Sequence, residues 1–283
     1  MFALHRRSFL QVLTAAGAAS LLGGAKAAWA LDGVSFGPPE DLPYDCLKRH
    51  ALELAPNDCR PPPRPDPDIV ERIDYDAHGK LKYRKDLALF GESAYPLSFQ
   101  HVGRYFPKTV RMHAVEGGQA REVLYDPAYF TIGEDHVASG LAEQPSAFAG
   151  FWVHEPRRKG PLEEVEPWAT FLGASYFRGV GELGQVGLSA RGIALAPGGG
   201  GPEEFPDFTA FWLEPAPREE DPVTVYALLD GPSVAGAYRF LLKRTEGVLM
   251  DIEADIHPRR EIERLGLAPL TSMYWYSETR KPT

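Results

Sequence analysis

Val223-Thr-Val-Tyr-Ala-Leu-Leu-Asp230, Gly236-Ala-Tyr-Arg-Phe-Leu-Leu-Lys243 and Gly247-Val-Leu-Met-Asp-Ile-Glu-Ala-Asp-Ile256 follow one another near the end of the chain. The three runs are short and rich in β-branched and aromatic residues. Gly, Pro, Asp or Ser bounds them, which is the signature of strands. Thr245-Glu246-Gly247 joins the last two as a hairpin turn with glycine. Working outward, the same reading extends back to Tyr95. Leu97, Phe99 and His101 alternate with Ser98 and Gln100, and Val110, Met112 and Ala114 alternate with Arg111 and His113. Phe148–Val153, Ala169–Arg178, Gln185–Ala196 and Phe208–Glu214 read as further strands. So many strands at this spacing predict an all-β protein, a large sandwich of antiparallel sheets.

The remainder is sparse in regular structure. Leu47–Ala55 reads as a short helix, and Pro61–Asp68 (Pro-Pro-Pro-Arg-Pro-Asp-Pro-Asp) as an extended connector. Residues 69–87 can hold a short helix or two turns. Arg259–Leu267, closed by Ala268-Pro269, reads as a late helix, and Ser272–Tyr276 as an aromatic, strand-like run. Three regions result: 1–30 as a leader, 31–90 as a helix with a proline-rich lead-in, and 91–283 as the sandwich.

Of 283 residues, 44% are hydrophobic and 24% charged, a folded composition. Gly and Pro, 28 and 26, suit a turn-rich protein without a collagen period. The formal charge of −9 argues against nucleic acid or an anionic membrane as partner, since both need a basic face. Two cysteines are too few for an all-cysteine zinc site or a dense disulfide framework. Cys46 and Cys59 can pair only if the chain doubles back at Pro56-Asn57-Asp58. Nine helical residues rise about 13.5 Å, and bridged Cα atoms lie within about 7 Å.

His5-Arg6-Arg7-Ser8-Phe9-Leu10 and the Ala/Leu/Gly stretch after it have the pattern of a twin-arginine export signal. The apolar part is short for a spanning helix. Ala28-Trp29-Ala30 offers a small-x-small cleavage site between Ala30 and Leu31. Cleavage there leaves 27 basic against 39 acidic residues, a charge of −12, with no stable membrane anchor. The expected address is the periplasm, reached through the twin-arginine export machinery. Free nucleotide cofactors are scarce there, and sugars and cell-wall polymers are common partners.

Catalytic motifs fail on context. Gly179-Val-Gly-Glu-Leu-Gly184 matches a dinucleotide fingerprint by letter, but no helix start follows to hold a pyrophosphate, so it reads as a hairpin turn. Gly187-Leu-Ser-Ala-Arg-Gly192 resembles a nucleophile elbow with Arg191 at the second glycine position, in a strand–turn–strand setting. The histidine spacing calls for no metal, and no cofactor is indicated. What remains suits a carbohydrate, whose apolar faces stack on rings and whose hydroxyls pair with polar side chains. Candidate clusters are Tyr176–Arg178, Glu203–Phe208, Phe211–Glu214 and Tyr274–Glu278. Each can equally be core aromatics alternating with solvated acids.

Several runs, in order, resemble the OpgG/OpgD (MdoG) periplasmic glucan biosynthesis family. They include Tyr125-Asp-Pro-Ala-Tyr-Phe-Thr-Ile-Gly133, Phe171-Leu-Gly-Ala-Ser-Tyr-Phe-Arg178 and Gly187-Leu-Ser-Ala-Arg-Gly-Ile-Ala-Leu195. Glu203-Glu-Phe-Pro-Asp-Phe-Thr-Ala-Phe-Trp-Leu-Glu214 and Leu265-Gly-Leu-Ala-Pro-Leu-Thr-Ser-Met273 continue the pattern. The twin-arginine leader is similar to that of the OpgD branch. The resemblance implies a galactose-mutarotase-like sandwich followed by an immunoglobulin-like domain, and a β-1,2-linked glucan as partner.

Some OpgD-like members are inverting endo-β-1,2-glucanases, which use an acid and a base carboxyl about 6.5–9.5 Å apart. Family members are nearly twice as long, so the resemblance places the immunoglobulin-like domain and the catalytic aspartates beyond Thr283. No catalytic residue is assigned here. Three readings stay open: a glucan-trimming protein, a non-catalytic assembly factor, and an inactive fragment whose interrupted sandwich aggregates. Within the chain, Trp275, Tyr276 and Glu278 are the expected glucan contacts, with Arg178 and Arg191 in support. Replacing Trp275 by Ala is expected to weaken glucan binding by about 1–2 kcal/mol if the ring stacks on sugar. Unchanged affinity in a titration would return it to the core.

Overall fold

The computed structural model describes residues 33–42, 44–156, 159–160, 164–173, 175–184, 186–198 and 202–271. Compact units divide the chain into Met1–Val34 and Ser35–Thr283. Only Gly33 and Val34 of the first are described, and every element below belongs to the second. The leader with its Ala30–Leu31 junction lies outside the described residues, as do Trp275, Tyr276 and Glu278.

In chain order the elements are β1 (Glu40–Asp41), α1 (Tyr44–Leu54), α2 (Pro67–Arg72), α3 (Tyr75–Lys80), β2 (Lys82–Tyr83), β3 (Leu97–His101), β4 (Arg111–Glu116) and β5 (Gln119–Glu122). Then come β6 (Phe130–Thr131), β7 (Phe148–His154), β8 (Pro167–Leu172), β9 (Tyr176–Gly179), β10 (Ala190–Arg191) and β11 (Ile193–Leu195). The series ends with β12 (Asp207–Glu214), β13 (Val223–Asp230), β14 (Val234–Arg244), β15 (Val248–Pro258) and β16 (Leu265–Leu267). Two main sheets form, ordered β1-β5-β4-β12-β13-β14-β15 and β10-β9-β8-β7-β3. Their pairings are antiparallel except β4 with β12, which run parallel. The fold is an all-β sandwich with few helices.

Register explains the packing. In the five-stranded sheet Phe99, Phe151, Phe171 and Phe177 are successive cross-strand partners, so one row of rings shares a face. That row meets Phe211 of β12 and Phe240 of β14 across the sandwich. Phe151 and Phe171 lie 5.3 and 5.5 Å from Phe211, and Phe171 and Phe177 each lie 5.2 Å from Phe240, all steeply tilted. The outer face of the seven-stranded sheet is covered by α1, whose Leu47 and Ala51 pack on Ala210, Trp212, Leu228 and Ala237.

Several expectations need correction. The Ala169–Arg178 run is not one strand: it folds back at Gly173 (φ +65°) into β8 and β9. The Gln185–Ala196 run breaks at Gly192, where a Cβ would sit 2.7 Å from the Phe208 ring. Ala190–Arg191 joins the five-stranded sheet, and Ile193–Leu195 leaves it to pair with β16. The helix expected over Arg259–Leu267 is absent. Arg259 is tied to Asp230 (2.6 Å) and to the Leu54 carbonyl (2.9 Å), and Leu265–Leu267 is extended as β16. The proline connector ends earlier than expected, because Asp66 caps a helix with Pro67 in its first turn. Cys46 and Cys59 are both free. Gly179–Gly184 is a turn, closed by the bridge between Val180 and Val186. Among the described residues no helix is long and apolar enough to cross a membrane.

Three histidines are buried in this framework. His101 and His113 are held down to about 4, chiefly by burial. His154 is held at about 3 by burial and by the Lys85 ammonium near its ring. Serine 98 bonds His154 Nε2 at 2.7 Å, and His113 stacks on Trp212 at 4.7 Å. The unfolded chain takes up these protons near pH 6.5, whereas the folded chain refuses them until about pH 4. The unfolded state therefore binds more protons in that window, and stability falls as pH drops through it. Denaturant titrations from pH 7 to pH 4 are expected to show a loss on the order of a few kcal/mol. His113→Gln is expected to flatten part of that slope; an unchanged slope in the variant contradicts the assignment.

Candidate functional site

The ring row on the inner face of the five-stranded sheet dictates what its outer face carries. Ser98, Trp152, Thr170 and Arg178 form one cross-strand row there, and Gln100, Gly150, Leu172, Tyr176 and Arg191 the next. The centre of this face is buried and polar. Gln100 is 3% exposed, and its Nε2 donates to Thr170 Oγ1 at 3.0 Å and to the Phe151 carbonyl at 3.2 Å. Thr170, Leu172, Tyr176 and Arg178 form one wall of a cavity of about 300 Å³, near the lower end of the range for small-ligand sites.

The segment crossing from β3 to β4 supplies the opposite wall with Tyr105, Phe106 and Lys108. Two contacts hold it. Phe106 meets the His78 ring edge-on at 4.7 Å, and Lys108 Nζ donates to Asp207 Oδ2 at 2.6 Å. Tyr105, just before the first of these anchors, is 68% exposed at the cavity edge. Arg178 is half-buried, and its Nε is inaccessible to water and has no hydrogen-bond partner among the described residues. The Arg178 guanidinium lines the cavity, and a guanidinium carries further N–H donors besides Nε that suit a ligand acceptor. Burial raises the Asp207 carboxyl pKa, and Lys108 pulls it back.

Of the five expected contacts, the structure places Arg178 in the cavity lining and Arg191 behind it. The Arg191 guanidinium lies 3.4 Å over the Phe205 ring and 4.5 Å from the Tyr176 ring centre, and it hydrogen-bonds the Tyr176 hydroxyl. Arg191 therefore braces Tyr176. Trp275, Tyr276 and Glu278 lie outside the described residues.

Other candidate clusters turn out structural. Phe208 and Phe211 are core rings, and Trp212 lies beneath α1. Glu204 accepts from Ser233 and Arg260, and Glu214 from Tyr226. Sequence reasoning missed Tyr105, Phe106 and Lys108. Their signal was an aromatic pair followed by proline, in a turn between two alternating runs. Among the described residues, no group of three or more His, Cys, Asp or Glu is arranged to hold a metal, and the cavity lining includes no carboxylate.

The fold and this face together define a β-sandwich protein with an aromatic, donor-rich cleft on one sheet. The chain belongs to the periplasmic glucan biosynthesis protein family MdoG, whose sequence model matches residues 43–283. Glucans biosynthesis protein D 2 of Ralstonia nicotianae is 44% identical over 286 aligned residues, covering 98% of this chain and 53% of that protein. Glucans biosynthesis protein D of Xylella fastidiosa is 41% identical, and that of Xanthomonas axonopodis pv. citri 40%; each alignment covers 97% of this chain and 52% of the relative. The chain thus spans about half the length of the curated relatives it matches.

Arg191→Ala removes two ring contacts and one hydrogen bond. It is expected to cost about 1–2 kcal/mol in urea denaturation. Arg191→Lys should recover only part, because an ammonium cannot stack flat between two rings. Full recovery by lysine contradicts this account.

Proposed function

We propose that this protein acts in the periplasm in glucan biosynthesis and that the cavity on the five-stranded sheet holds part of a β-1,2-linked glucan backbone. The observation carrying the reading is that an exposed ring, Tyr105, and the guanidinium of Arg178 line one small cleft. Sugars need both features: a ring face for their C–H surface and donors for their hydroxyls. The family and the names of its relatives support glucan as the polymer. The Arg6-Arg7 leader supports export by the twin-arginine route.

Trimming of the backbone is the further step. Inverting hydrolysis needs two carboxyls flanking the bond, and the described cavity residues include none. These residues are therefore assigned to binding, and the acid and base of a hydrolase belong elsewhere in the protein. A glucan-binding assembly factor would need nothing more than this cleft.

Titration with a β-1,2-glucan oligomer is expected to show saturable binding. Tyr105→Ala is expected to weaken it by about 1–2 kcal/mol, roughly fivefold to thirtyfold. Because Tyr105 is exposed, the variant should melt like the parent. Equal affinity in parent and variant would overturn the site. Appearance of new reducing ends would decide for trimming over assembly.

A further inference from the structure

A second cavity lies on the outer face of the other sheet, with a volume of about 1240 Å³. Its floor includes Arg111 and Leu228, which the register places on the same side of the seven-stranded sheet as α1, and Thr209 at the irregularity of β12. Its roof is the proline-rich segment 59–65, pinned at two points. The Arg60 N–H donates to Asp230 Oδ2 at 3.1 Å, and Thr109 donates to the Pro63 carbonyl through N–H (2.9 Å) and Oγ1 (3.1 Å). Prolines restrict the backbone between these points. The roof contributes Arg60 and Arg64, and the floor Arg111, to the lining of this one cavity.

Among the described residues, the arginines differ in what they are paired with, and Arg178 of the first cavity is one of those without a hydrogen-bond or ion-pair partner. Most described ones have a carboxylate, carbonyl or ring partner, as in Arg84–Asp86, Arg104–Glu71, Arg218–Asp221, Arg239–Glu253, Arg244–Glu155 and Arg260–Glu204. The side chains of Arg60, Arg64 and Arg111 make no hydrogen bond or ion pair with any described residue, and all three line this one cavity. Arg64 acts on Asp207 only at a distance. Three guanidiniums left open together are unusual in a chain of net charge −9. Guanidinium is the group suited to bidentate binding of phosphate or carboxylate. Asp230 is already engaged by Arg259 at 2.6 Å, which leaves Asp58 and Glu122 as the uncommitted acids of the lining. These acids, with Asn57, Gln144 and Ser146, suit the hydroxyls of a ligand rather than a second anionic group.

We propose that this second cavity binds a hydroxylated ligand with a single anionic group, a sugar or polyol bearing one phosphate or carboxylate, with Arg60, Arg64 and Arg111 holding the charged group. The site is separate from the glucan cleft and stands whether or not that cleft binds glucan.

The test is calorimetric titration of the full chain with glucose 6-phosphate, inorganic phosphate and glucose. Glucose 6-phosphate is expected to bind, to bind more tightly than glucose, and to weaken as salt is raised. The Arg64→Ala/Arg111→Ala double variant is expected to lose on the order of tenfold or more in affinity. Both side chains are exposed, and Arg64→Gln/Arg111→Gln with an unchanged melting curve controls for folding. Tyr105→Ala, in the other cavity, should leave this binding unchanged. Tighter binding of glucose 6-phosphate than of inorganic phosphate supports recognition of the hydroxylated body as well as the charge. Free phosphate binding as tightly as the sugar phosphate overturns the hydroxylated ligand, and glucose binding as tightly as its phosphate overturns the anion site. No saturable binding of glucose 6-phosphate, or equal affinity in the double variant, also overturns the proposal.

Discussion

The structure depends on one contact: a row of phenylalanine rings from three strands laid against Phe211 and Phe240 of the facing sheet. Side chains alternate along a strand, so burying Phe151, Phe171 and Phe177 turns Trp152, Thr170, Leu172, Tyr176 and Arg178 to the other side. A slip of one residue would put the rings in water and bury the arginine. The core and the cleft are therefore one decision. The cost of exposing the rings, about 1.5–3 kcal/mol each, keeps Arg178 and Tyr176 where a ligand can meet them.

How much of this could be read in the residues depended on whether the signal was local. The strands before and after Thr245–Gly247 declared themselves, because alternation and a glycine turn are written in adjacent positions. The break at Gly192 did not: it arises because the Phe208 ring, sixteen residues on, occupies the space of a side chain. The false helix over Arg259–Leu267 failed for the same reason. Its arginine is taken by Asp230 and the end of α1, and its leucines alternate two apart along β16.

The cleft was legible in half. Tyr176 and Arg178 stood out as an aromatic and a cation on one strand face. Tyr105 and Lys108 come from a crossing segment that carries no periodicity, and only the anchors at His78 and Asp207 bring them opposite. Arg191 drew notice as a potential sugar contact, yet two rings already lie against its guanidinium. A charged residue among aromatics has two possible uses, touching the ligand or bracing the ring that does, and sequence does not distinguish them.

The two cavities share a foundation at one end of the seven-stranded sheet. Asp207 and Asp230 are cross-strand partners there, so two carboxylates sit side by side. Each requires its own cation: Lys108 for the first, Arg259 for the second. Lys108 belongs to the wall of the cavity on the five-stranded sheet, while Asp230 also takes the N–H of Arg60 from the proline roof. Like charges at that spacing repel unless both are neutralised, and Asp230 is one of the groups raising the Asp207 carboxyl. The crossing segment and the proline roof therefore answer to the same pair of acids. Loosening the Lys108 anchor leaves Asp207 unpaired beside Asp230, whereas loosening the Arg60 N–H leaves Asp230 with Arg259 but one hydrogen bond short, so both walls bear on one pair of carboxylates.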